Sequence, residues 1–197
     1  MNGMRILALP VLLALASTAP AADLSLWRAL DWFEGTWRGE ERASLGEGAG
    51  QRCTTDLFGG RFQFSWSRTE IAAGSRHMGG TWERWQIVSR DPDTGLIVLE
   101  QFDSSGYRSR FELDAAQSSA DRFSFVATEL GGESGERQGR LTLAIRRGDR
   151  FDETLELGDR DGPLNLVSVH RWRRTEGDPA ICVGQAPSIG PEFRASP

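Results

Sequence analysis

The sequence contains no lysine: its 23 basic side chains are all arginine, set against 28 carboxylates, which leaves a formal charge of -5 over 197 residues. A chain with that excess of acid is a poor match for nucleic acid, which is not an expected partner. Histidine is nearly absent, since only His77 and His170 occur, so a Ser-His-Asp triad or a two-His metal centre is short of parts. There are two cysteines and no CxxC pair, and no Gly-rich loop precedes a helix in the manner of a phosphate site. The longest apolar run, Ile6 to Ala16, is too short to span a bilayer, so no membrane span is expected in the mature protein. No catalytic signature is present, and the composition favours a binding protein over an enzyme.

That apolar run follows Arg5 and precedes Ala19 and Ala21, which stand in the -3 and -1 positions of an A-x-A cleavage site. This order of charged, apolar and small residues is that of a secretory signal peptide, assigned to residues 1–22, and implies a periplasmic or secreted protein. In an oxidising compartment an even cysteine count reads as a disulfide, so Cys53 is expected to pair with Cys182. Residues 175–197 hold four prolines, three glycines and little periodicity, and read as an irregular tail anchored by Cys182.

Between signal and tail, residues 23–174 read as one all-β domain. Leu24 to Glu34 places Leu26, Leu30 and Phe33 at helical spacing, which predicts a short helix before Gly35. From Thr36 the period becomes two. Ten strands are predicted: 36–43, 51–57, 61–71, 80–89, 96–103, 107–113, 122–130, 136–146, 150–157 and 164–173. Turn signals such as Gly59-Gly60, Asp91-Pro92-Asp93-Thr94-Gly95 and Ser104-Ser105-Gly106 separate them. Short returns and no crossover helix make the order antiparallel and up-and-down. Closure into a barrel removes the exposed edges, with the short N-terminal helix closing one end.

Alternation marks an apolar parity: Phe62, Phe64 and Trp66 on one strand, Phe111 on another, Phe123 and Phe125 on a third. These six residues are the expected lining of the interior, where a small apolar or amphipathic molecule would bind. Charges that might point inward are Glu83 and Arg84, between Trp82 and Trp85, and Glu100; the other carboxylates, among them Glu70, Glu112, Glu129 and the Asp152-Glu153 pair, read as solvated faces.

The start Gly35-Thr36-Trp37-Arg38-Gly39 resembles the G-x-W opening of calycin-type barrels, the superfamily of lipocalins. It resembles more closely the G-x-W-x-G start of nitrobindin-like barrels and of an uncharacterised family of exported bacterial barrels. Phe58-Gly59-Gly60-Arg61-Phe62, Asp91-Pro92-x-Thr94-Gly95, Asp103-Ser104-x-Gly106 and the last-strand run Val169-His170-Arg171-Trp172-Arg173-Arg174 continue that pattern over residues 30–174. The resemblance implies that Trp37 plugs the closed end under a guanidinium from Arg171 or Arg173. It also implies a haem-ligating histidine near the last strand, for which His170 is the candidate, although His170 stands six residues after Leu164 rather than the expected three. Three readings result: a carrier of a small apolar or amphipathic ligand without cofactor, a haem protein acting on a reactive small molecule through His170, and a filled barrel acting by its surface.

Overall fold

The computed structural model describes residues 21–43, 46–73, 79–131, 137–177 and Cys182; residues 1–20, where most of the signal segment falls, and most of the tail lie outside the described residues. Helix α1 (Ala21–Ala29) runs into a 3-10 turn (Leu30–Phe33) and then ten strands: β1 Gly35–Ala43, β2 Gly46–Leu57, β3 Phe62–Ile71, β4 Gly80–Arg90, β5 Ile97–Asp103, β6 Arg108–Leu113, β7 Arg122–Glu129, β8 Arg137–Arg146, β9 Arg150–Asp159 and β10 Asn165–Thr175. Each strand pairs antiparallel with the next, and β10 returns to β1 in the register Trp37 to Arg174 and Glu41 to His170, closing the barrel. The strand count, their order and the short closing helix agree with the sequence expectation.

The tight returns rest on a repeated device. Asp91 Oδ1 accepts from the backbone of Asp93 and Thr94, and Asp103 Oδ1 accepts from the backbone of Ser105 and Tyr107. Gly95 and Gly106 then take φ of 74° and 87°, a region closed to most side chains, which is why both turns end in glycine.

Packing differs between the two ends. At the helix end, Leu26, Leu30 and Phe33 enter the barrel mouth and meet Trp37, Phe123, Phe125 and Phe151 in one core. The contacts are edge-on, Phe33 to Phe151 at 5.0 Å and Trp37 to Phe151 at 4.8 Å between ring centroids, as the ring quadrupole favours. Polar ties hold this plug: Gln63 Nε2 donates to the Leu30 carbonyl at 2.8 Å and Trp37 Nε1 to the Phe33 carbonyl at 2.9 Å. The guanidinium over Trp37 belongs to Arg174, 4.2 Å from the ring centroid, and it also donates to the carbonyls of Trp32 and Glu34. Arg171 and Arg173 have the opposite parity and face outward, so the expected role of those two falls to their neighbour. Inside the wall, Trp172 lies against Gly39, where a Cβ would come within 2.6 Å of the indole, so glycine in β1 makes room for it.

A second correction concerns β3, where both parities are buried. Gln63, Ser65, Ser67 and Thr69 face the lumen, whereas Phe64 and Trp66 pack outside against the Cys53–Cys182 disulfide, with Cα atoms 5.5 Å apart. Phe62 lies on that outer side, partly exposed, edge-on to Phe58. Three of the six expected lining residues therefore lie on the outer wall. The physical cause is that the lumen at this depth holds charges that need hydrogen-bond partners, while on the outer wall Phe64 and Trp66 bury their rings with Cys53 and Cys182.

Candidate functional site

Above the aromatic plug the interior turns polar. Glu153 on β9 reaches across the lumen to β4, on the opposite side of the ring, where Arg84 Nη1 stands 2.9 Å and Gln86 Nε2 3.2 Å from its Oε1. Its other oxygen accepts from Arg52 Nη1 on β2 at 2.6 Å. Arg52 also donates to Thr54 Oγ1 and, at 2.9 Å, to Ser65 Oγ. The Glu153 side chain is 1% exposed. Burial opposes its ionisation, yet Arg84, Arg52 and the Gln86 amide outweigh that and hold the carboxyl down to about 2. Burial and the like charge of Arg84 pull Arg52 down to about 10, against the attraction of Glu153, and it remains a cation at neutral pH. Two guanidiniums sharing one carboxylate form a cross-brace between opposite walls.

Next to this brace, His170 Nε2 lies 2.9 Å from Glu41 Oε2, and the imidazole is stacked on Trp172 at 5.4 Å with 4° between planes. Burial raises the Glu41 carboxyl, but its hydrogen bond to His170 and the charges of His170 and Arg84 bring it below its ordinary value. These positions do not fit haem ligation. The Nε2 is engaged by Glu41, one ring face is covered by Trp172, and Nδ1 is buried. Among the described residues no group of three or more His, Cys, Asp or Glu side chains is arranged to hold a metal ion.

At the end away from the helix, a cavity of about 300 Å³ opens between β5–β6 and β8–β9. Phe111, Leu155 and Leu157 give it apolar walls, Gln101, Asp103 and Ser109 line its polar side, and the exposed Arg137 and Tyr107 border it. Phe111 is the one residue of the expected lining that reaches it. Phe123 and Phe125, fully buried, belong to the packed plug. Of the charged candidates, Arg84 points inward, whereas Glu83 pairs with Arg68 and Glu100 with Arg108 on the outside. Glu153 was the acid that mattered, and its signal was its parity: it alternates in phase with Phe151, Leu155 and Leu157 on β9.

No protein-family model and no curated protein matches the sequence. Among solved structures, the chain is similar to the crystal structure of Rv2717c from M. tuberculosis, with a TM-score of 0.53 over 77% of this chain and 98% of that one. At 13% identity this likeness shows a shared barrel fold and nothing of its chemistry.

Proposed function

We propose that the protein is an exported, calycin-like binding barrel that takes one small amphipathic molecule with an anionic head into the cavity at its open end. The observation that carries this reading is the cavity itself: apolar on the Phe111, Leu155 and Leu157 side, polar on the side of Gln101, Ser109 and Asp103, whose Oδ1 is engaged by the Ser105 and Tyr107 amides, and bordered by the cation Arg137. Burying an alkyl or aromatic body there contributes roughly 25 cal/mol per Å² of apolar surface. No ion pair of Arg137 occurs among the described residues, which leaves its guanidinium available to a carboxylate or sulfonate. The disulfide suits an oxidising compartment, in keeping with a periplasmic or secreted location.

The third reading, a filled barrel, is met at the helix end by the plug and ion layer, and the cavity at the other end supports the binding reading. Titration with 8-anilinonaphthalene-1-sulfonate tests the proposal. Saturable binding at one site per chain is expected, weakened about tenfold or more by Leu157→Trp, which fills the cavity, and several-fold by Arg137→Gln. Equal binding by parent and Leu157→Trp would remove the cavity from the account.

A further inference from the structure

We infer that the outer wall formed by β8, β9, β10 and β1 is a docking surface for a short linear phosphate polyanion. The registers place Arg38 opposite Arg173, Arg173 opposite Arg150, and Arg150 opposite Arg146. Four arginines thus stand in one row across four adjacent strands, and a neighbouring-strand spacing of about 4.8 Å makes the row roughly 14 Å long. All four are exposed. Among the described residues only Arg146 has an ion pair, with Asp152 at 2.9 Å.

Like charges directly opposite one another destabilise a sheet. The adjacent row shows the usual remedy: Glu40, Arg171 and Asp152 alternate in sign across the same three strands β1, β10 and β9. The all-arginine row does not follow it, on a chain whose formal charge is -5. Basic charge is therefore concentrated where it weakens the fold, and an anionic partner would offset that repulsion.

The shape of the wall selects among anions. The row borders a groove of about 790 Å³ that Gly39, Ala49 and Gly50 line with small residues, and in which six arginines, Arg147 and Arg171 besides the four of the row, outnumber the carboxylates Glu40 and Asp152. A chain can lie in such a groove, whereas a flat lipid surface meets only its rims. None of the exposed large hydrophobic residues lines it, so it has neither a wedge for a membrane nor an exposed aromatic platform for stacking bases. Phosphates along an unbranched chain would meet the planar forks of the arginines at intervals, releasing counterions as they bind.

The test uses short-chain inorganic polyphosphate with the full-length protein at several salt concentrations. Binding is expected to weaken with salt, and Arg150→Gln/Arg173→Gln should lower affinity at least tenfold and reduce the slope of log K against log salt by about 1 per arginine removed. The double variant should melt no lower than the parent, because it relieves repulsion, and it should bind the cavity probe unchanged. Arg108→Gln, on β6 away from the row, should bind polyphosphate like the parent. The inference is overturned by absence of binding at low salt, by equal affinity in the double variant, by orthophosphate binding as tightly as the chain, or by stronger binding to an oligonucleotide or to phosphatidylglycerol vesicles.

Discussion

Glu153→Gln is the substitution to which the barrel should be most sensitive. It keeps the side chain's size but removes the one negative charge lying 2.6 Å from Arg52 and 2.9 Å from Arg84, both almost fully buried. Two guanidiniums then face each other in the lumen, with only Glu41, already paired with His170, left to act on Arg84. Loss of one partner from a buried ion pair costs about 3 to 5 kcal/mol, and the amide, still able to accept a hydrogen bond, places this case near 3 kcal/mol. For a domain of this size that corresponds to a fall in melting temperature of roughly 6 to 12 °C. Urea unfolding followed by tryptophan fluorescence measures it, with Arg52→Met and the double variant completing a cycle whose coupling should exceed about 1 kcal/mol. A Glu153→Gln protein within about 0.5 kcal/mol of the parent, with no coupling, would refute the idea that the cross-brace holds the walls together.

Further outcomes follow from the same packing. Glu153 and Glu41 are both held below their ordinary carboxylate value, so their stabilisation is present above the unfolded-state value and lost as pH falls through the folded value, which for Glu153 is about 2; acid titration of stability should show this loss, and Glu153→Gln should flatten it. Reduction of Cys53–Cys182, separated by 129 residues, should cost at most about 4 to 5 kcal/mol while the far-ultraviolet dichroism of the barrel persists. Phe125→Ala, at a fully buried plug position, should cost about 3 to 5 kcal/mol in denaturation and leave binding of the cavity probe unchanged.

Period-two alternation and turn chemistry made the strands legible in the sequence, because both are local. Strand β3 shows where that stops: alternation separates Phe62, Phe64 and Trp66 from Gln63 and Ser65, but which set faces inward depends on the ions that β2, β4 and β9 bring into the lumen. The same limit misplaced the guanidinium over Trp37 by one residue, since only the β1–β10 register puts Arg174 opposite it. His170 was visible as a singular residue, yet its partner Glu41 lies 129 positions away and becomes its neighbour only when the barrel closes. The arginine row is likewise a product of register, written in four strands that no short stretch of sequence contains.

The most direct measurement of the binding proposal is an amide chemical-shift titration of the isotopically labelled protein with decanoate. The account predicts saturable shifts at Gln101, Ser109 and Phe111 and at Leu155 and Leu157, with the plug residues Phe123 and Phe125 unmoved. Shifts confined to the outer wall around Cys53, or no saturable shift at any decanoate concentration below its micellar range, would contradict it.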